Sequence, residues 1–473
     1  MRLRWWPRVS WISRSAPARE HVTAIASPEA LEPLASASLN RRFPGLRDAM
    51  DPERMRAELQ RALFDHSGLV VEACERPKAE LDAGMCSLQY PLVVRTESGE
   101  LLHSLVLGTM LPEAHAAIEF ERTTLAPLTS RWQHSHTPAP TPTGVIERLG
   151  LALSVFPLTA ALPSLLDAID TARMTTLLRS VLDDQRVSVT AAELVVFRRT
   201  RGCVLRYRLE SREHPVVYGK VGYASSTQTA HAALAALTST DRSLAPGWLI
   251  FPRLLGSRDE LELSLLTEVP GSRPNLGNDV DVERTIAAAG GVAAILHAFP
   301  VGAVPARTLG SEIERAVAAV QLIDHHTPTL AGWLSGILAS AVHTLESVPA
   351  QPRVLAHGDL TPSQLLFDGP RVGILDFDKL CQAEPSLDLG RFLAYMRFAL
   401  AKHGGRDTDG MAARFIEAYS DQGGQPAPAA RIDAYEICSL VRMAARSWLQ
   451  LKPARLAVVC AVLDARSTQS PLA

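Results

Sequence analysis

Two carboxylates in the later third of the chain are placed to act together. Asp359 follows His357-Gly358, and Asp376 stands in Leu375-Asp376-Phe377-Asp378, seventeen positions further on. Between them lie Leu365-Leu366-Phe367, a turn at Asp368-Gly369-Pro370 and the apolar run from Val372 to Leu375. Apolar runs on either side of a Gly-Pro turn predict a β-hairpin, which returns Asp376 to the end at which Asp359 starts. Two acids at one end of a hairpin suit phosphoryl transfer: one orients or deprotonates a hydroxyl, and the other holds Mg²⁺ against phosphates. A chance His-Gly-Asp turn is the plain alternative, and the second carboxylate at hairpin distance counts against it.

These residues must be positioned by something, and the chain is long enough to supply it. Its 473 residues allow two or three domains, and 47% hydrophobic with 21% charged residues is ordinary for a soluble globular protein. A formal net charge of −2 gives no electrostatic case for nucleic acid or an anionic membrane as the main partner. Six scattered cysteines without a Cys-x-x-Cys pair argue against a zinc site or a disulfide framework and suit a reducing cytosol. Met1 to Arg19 mixes arginines with Trp5, Trp6 and Trp11 and lacks a secretory apolar core, and no window reaches the roughly 18 apolar residues of a membrane span. A flexible leader over 1–40 and a cytoplasmic protein are expected.

The loop motifs resemble those of the aminoglycoside phosphotransferase and choline kinase family, whose catalytic loop reads His-x-Asp-x-x-x-x-Asn. The resemblance implies an α+β, bilobal protein-kinase-like fold, with a mixed-sheet N-lobe and a mostly helical C-lobe. It implies ATP and Mg²⁺ as cofactors and a small hydroxylated molecule, such as a sugar, amino alcohol or aminoglycoside, as partner. His357 then supports the loop, Asp359 is the catalytic base, and Asp376 is the main metal ligand. Gln364 stands at the family's Asn and keeps the amide oxygen for a metal, with one methylene more. Asp388, opening a helix, corresponds to the family's support for the catalytic-loop backbone. Asp378 faces the acceptor or is a solvated loop acid; Glu384, Asp388, Asp421 and Glu436 are further acceptor-side candidates.

The first half of the chain repeats the middle. Phe43-Pro44-Gly45-Leu46-Arg47-Asp48-Ala49-Met50-Asp51 lies over Leu162 to Asp170, and Met55, Leu59 and Leu63 lie over Met174, Leu178 and Leu182. Cys86 to Tyr90 lies over Cys203 to Tyr207, and Val106-Leu107-Gly108-Thr109 over Val217-Tyr218-Gly219-Lys220. An extra N-terminal module, a duplicated and degenerate N-lobe, is therefore expected over 41–130. A Pro/Thr-rich linker follows over 131–160, the N-lobe over 161–271 and the helical C-lobe over 272–473.

Lys220 matches the family's strand lysine, which pairs with the ATP phosphates; its counterpart Thr109 carries no charge. Phe197 to Cys203 takes the place of a phosphate-covering loop, with one glycine and three arginines. Ser225 to Leu237 offers no carboxylate to pair with Lys220, while the first copy carries Glu119 and Glu121. Leu263 to Gly271 resembles the hinge between lobes, with Glu268, Val269 and Gly271 lining the purine pocket. Gln364, the missing partner of Lys220 and the lysine-less first copy keep a second reading open, a nucleotide-binding pseudokinase or scaffold. A protein kinase fits less well, because few residues separate Asp376 from the next helix.

Overall fold

Asp51 and Asp170 each break from a short helix into an extended conformation and cap the next helix. Each side-chain oxygen accepts two backbone N–H groups of the first turn, opening Pro52–Leu59 and Thr171–Leu182. Behind the first helix come strands β1 (Val70–Cys74), β2 (Lys78–Leu81), β3 (Cys86–Arg95) and β4 (Leu101–Met110). After the short helix Ala114–Phe120 come β5 (Thr143–Ile146) and β6 (Leu151–Val155). Behind the second helix come β7 (Val189–Arg198), β8 (Gly202–Leu209), β9 (Val216–Val221), β10 (Leu249–Ile250), β11 (Leu254–Arg258) and β12 (Leu263–Thr267). This computed structural model describes residues 28–469, apart from 66, 83, 132–140, 199–201, 223–233, 235–245, 303, 344–347 and 405–407.

The first sheet runs β1-β3-β4-β6-β5, with β2 also on β3; the second runs β7-β8-β9-β12-β11. Registers agree across the central strands. Thr109 stands opposite Ser87 and Ala152, and Lys220 opposite Val204 and Ser264. The Tyr90 hydroxyl donates to the Ala49 carbonyl at 3.1 Å, and the Tyr207 hydroxyl to the Ala168 carbonyl at 2.8 Å. Beneath each ring the neighbouring strand carries a glycine. A Cβ on Gly219 would stand 2.7 Å from the Tyr207 ring, and one on Gly108 3.1 Å from the Tyr90 ring.

Two expected boundaries are corrected. Residues 143–155, assigned to the linker, are β5 and β6, completing the first sheet; the proline-rich 132–140 lie outside the described residues. The leader is structured from Pro28 onward. The Ser36 hydroxyl donates to the His326 carbonyl at 3.0 Å, and Ser38 Oγ lies 2.8 Å from His326 Nδ1. Glu119 and Glu121, beside the first sheet, are engaged locally, with Arg122 and Thr143.

The rest is helical, built on Asp279–Ala298, Leu309–Asp324, Pro328–His343, Pro385–Lys402, Thr408–Asp421, Ala429–Leu449 and Pro453–Gln469. Set among these helices are β13 (Val354–Ala356), paired with β16 (Cys381–Ala383), and the hairpin of β14 (Leu365–Asp368) and β15 (Arg371–Ile374). One contiguous apolar cluster runs from Leu81, Leu92 and Val94 of the first sheet to Val320, Leu440, Trp448 and Leu463 of the helices. The first module is thus fastened to the helical part. Its Leu107 and Phe156 also enter the core of the second sheet, beside Leu205 and Tyr207. The architecture is mixed α+β. No described helix is long and apolar enough to cross a membrane.

Candidate phosphotransfer site

β13 carries the chain to His357 in the interior, where Asp388 fixes the loop. Asp388 is fully buried and accepts the backbone N–H of His357 at 2.6 Å and of Gly358 at 2.8 Å. His297 Nε2 lies 3.3 Å from the same carboxylate, and His297 Nδ1 lies 2.9 Å from the Tyr419 hydroxyl. Burial pushes the Asp388 carboxyl up, but His297, His357 and the Gly358 N–H outweigh it and hold it below the usual range. His357 Nε2 donates to the Leu375 carbonyl at 2.9 Å. Nδ1 is then the acceptor, and it takes the Asp359 N–H at 3.2 Å. His357 thereby ties the loop bearing Asp359 to the strand leading into Asp376. Gly358, at φ +72°, is required: a Cβ there would stand 2.1 Å from the Lys379 carbonyl oxygen.

The β14–β15 hairpin returns the chain as the spacing predicts, and Asp376 follows it in the left-handed region, at φ +67°. Lys220, from β9 of the second sheet, reaches across to it. Its Nζ lies 2.9 Å from Asp376 Oδ1 and 2.7 Å from Asp378 Oδ1. Gln364 Nε2 donates to Asp376 Oδ2 at 3.3 Å. Two neighbouring acids cannot both ionise freely. Burial and Asp376 raise Asp378 to about 6 against the pull of Lys220, while Lys220 holds Asp376 low despite its burial. Burial works against the Lys220 charge, but the two carboxylates outweigh it and raise its pKa.

Asp378 lies directly against Lys220, and its side chain is mostly buried. It supplies to Lys220 a carboxylate that the sequence from Ser225 to Leu237 lacks. Residues 225–237 lie outside the described residues except Leu234, as do 199–201 of the expected phosphate-covering loop.

Two carboxylates and a side-chain amide form an oxygen donor set suited to a hard cation such as Mg²⁺, which commonly takes one or two carboxylates and completes its shell with phosphate and water. Among the described residues no cluster of three His, Cys, Asp or Glu forms a closed metal cage.

Asp359 has partners that the spacing did not announce. Lys379 Nζ lies 2.7 Å from Oδ2, and Arg391 Nη2 bonds Oδ1. Burial raises the Asp359 carboxyl, but Arg391 and Lys379 outweigh it and hold it well below the usual range. One signal could have exposed Arg391: it lies three residues after Asp388 on one helix, hence on the same face. Arg307, which donates from Nη1 to the Gly358 carbonyl at 2.8 Å, and His297 left no comparable signal.

The expected hinge presses on the hairpin. Ser272 and Phe367 exchange backbone hydrogen bonds of 3.0 and 2.8 Å, and a Cβ on Gly271 would stand 2.7 Å from the Phe367 carbonyl. Val269 is buried against Gly373, whereas Glu268 is exposed. The acceptor-side candidates are dispersed. Glu384 is sealed in a pair with Arg431; Glu436 is fully buried, 2.8 Å from Arg397 Nε; Asp421 lines a groove beside Trp248. Among the described residues none of the three shares a hydrogen bond or ion pair with Asp359 or Asp376.

Comparison with known proteins agrees with the motif reading. No curated protein matches the sequence. Among solved structures, choline kinase from Cryptosporidium parvum Iowa II aligns at 10% identity and TM-score 0.47, over 63% of this chain and 96% of that one. An aminoglycoside phosphotransferase from Streptomyces rimosus aligns at 21% and 0.38, over 61% and 99%. A spectinomycin phosphotransferase in complex with ADP and spectinomycin aligns at 11% and 0.45, over 63% and 99%. Residues 205–431, which hold Lys220, Asp359, Gln364, Asp376 and Asp388, match the model of the phosphotransferase enzyme family.

Proposed function

We propose that this chain is an ATP-dependent phosphotransferase acting on a hydroxyl of a small molecule. The observation that carries the reading is the Lys220 bridge, which draws a strand of the second sheet onto Asp376 and Asp378 from more than 150 residues away. A buried lysine between two acids is what a site looks like when its own side chains balance the charges that nucleotide and metal would bring.

With MgATP bound, Lys220 would turn to the α- and β-phosphates, and Glu268, Val269 and Gly271 would line the purine. Asp376 and Gln364 would hold Mg²⁺, which would neutralise charge building up on the phosphates. Asp359, kept ionised by Arg391 and Lys379, accepts a hydrogen bond far better than it keeps a proton. Its role is to aim the acceptor hydroxyl at the γ-phosphorus, so that catalysis rests on positioning and charge. The residues of the Asp388 network hold that carboxylate in place. The first sheet reads as a degenerate N-lobe copy: it keeps the Tyr90 bond and the Asp51 cap and lacks the lysine.

A second reading, a nucleotide-binding pseudokinase, is favoured by Gln364 in place of Asn and by the two cations on Asp359. One experiment separates the two. Thermal stability is measured with ATP, with and without Mg²⁺, and ADP formation is followed for the wild type and Asp359→Ala. An enzyme gives a metal-dependent shift in both proteins and turnover in the wild type alone. Turnover that survives in Asp359→Ala removes that residue from its role.

A further inference from the structure

The ground around Asp359 is built of cations. Arg391 and Lys379 hold the carboxylate itself. Behind them Arg307 pairs with Glu312 at 2.6 Å, and Glu312 also receives Arg315 Nη1 at 3.0 Å and Arg442 Nη1 at 2.9 Å. Five cations from three helices and two loops thus stand against two carboxylates, Asp359 and Glu312. Asp388 adds little, since it is committed to the loop N–H groups and His297. The acids that would balance a bound polycation are locked away with Arg431 and Arg397.

The surplus is felt within the protein. Burial, together with the charges of Arg391, Arg307 and Arg315, lowers the pKa of Arg442 despite Glu312. Arg391 is only 5% exposed, and among the described residues its buried Nε has no hydrogen-bond partner. A buried guanidinium N–H without an acceptor is destabilising unless a ligand supplies one. Arg442 keeps about a quarter of its side chain exposed, so the cluster meets solvent at this arginine.

Resting on the phosphotransferase reading, we propose that the acceptor is a small hydroxylated anion, its carboxylate or phosphate held by Arg391 and Arg442 and its hydroxyl set at Asp359. Arginine suits this task, because its planar fork bonds carboxylate and phosphate in a bidentate way. In the transfer step the hydroxyl oxygen forms a bond to the γ-phosphorus, and the bond from that phosphorus to the β,γ-bridging oxygen breaks. The electron pair leaves with ADP, and the hydroxyl proton departs by way of Asp359 to solvent. A polycationic acceptor would meet like charge at the same ground.

The test reads acceptor binding apart from nucleotide binding. Thermal shifts of the full chain are measured with Mg²⁺ and a non-hydrolysable ATP analogue, then with inorganic phosphate, glycerate, gluconate, glycerol, sorbitol or kanamycin added at constant ionic strength. Saturable stabilisation by phosphate or the two acids is expected, with none from the polyols or kanamycin. Arg442→Gln should weaken the anion response about tenfold, Arg442→Lys should restore part of it, and neither should change the nucleotide response. A shift with kanamycin, no shift with any of the anions, or an anion shift untouched in Arg442→Gln would overturn the anionic acceptor while the nucleotide shift stands. Absence of any nucleotide shift would instead overturn the phosphotransferase reading, and the acceptor role with it.

Discussion

The two sheets of this chain share a skeleton and differ in their chemistry. Both run in the same strand order, both place a tyrosine hydroxyl on an alanine carbonyl, and both open the preceding helix with a capping aspartate. At one register position the first carries Thr109, 3% exposed, and the second carries Lys220, drawn to Asp376 and Asp378. What persists in both is what closes a core: a buried hydroxyl with its acceptor, a capped helix, and a glycine beneath an aromatic ring. What differs is a charge that has meaning only opposite the hairpin acids. The first sheet faces helices in place of that hairpin, and its apolar cluster runs into them without a break.

The largest expected effect breaks this asymmetry from the side of chemistry. Lys220→Ala should remove the Mg²⁺-dependent ATP shift and at least about a hundredfold of any turnover, whereas Thr109→Ala should leave both unchanged. Equal effects at the two positions would end the distinction between the sheets. Thr109→Lys should cost several kcal/mol in a denaturant titration, because it buries a charge, and should not create a second nucleotide site.

Next comes the shared skeleton. Tyr90→Phe and Tyr207→Phe each leave a buried carbonyl without its donor, at a cost of about 1–3 kcal/mol, and similar losses from both would show that the two modules bear on stability alike. Asp51→Ala and Asp170→Ala should each cost about 1 kcal/mol through the lost cap.

The pH dependence is the smallest effect. Asp378 has a raised pKa of about 6, so below that pH it holds a proton that must leave before the acid pair can meet a metal. Metal-dependent nucleotide binding should therefore strengthen as pH rises through about 6, and Asp378→Asn should flatten the profile. Asp359 has the opposite sign. Its folded pKa is depressed, so the stability it contributes is present above the unfolded value of about 4 and is lost as pH falls toward its folded pKa.

Much of the site was legible in the chain because it is local. The hairpin and the loops bearing Asp359 and Asp376 all lie between His357 and Asp378, and turn chemistry with strand period decides their arrangement. The matching positions of the two sheets were legible because core positions keep a fixed spacing. The boundary at 131–160 was misplaced because β5 and β6 are short and follow a Pro/Thr run, so only their pairing with β4 reveals them as strands. Arg307, His297 and the Arg391 contact escaped because each joins elements distant in sequence.

The order of residues alone thus determined which groups are available for phosphoryl chemistry, and that two acids share one end of a hairpin, since both follow from backbone geometry over a short span. Tertiary structure decided which charge meets which. It turned Asp378 to Lys220, set Arg391 and Lys379 on Asp359, sealed Glu384 and Glu436 with arginines, and fastened the first sheet to the helices. Charges act through space and through the water they lose, and neither distance nor burial is written in spacing along a chain.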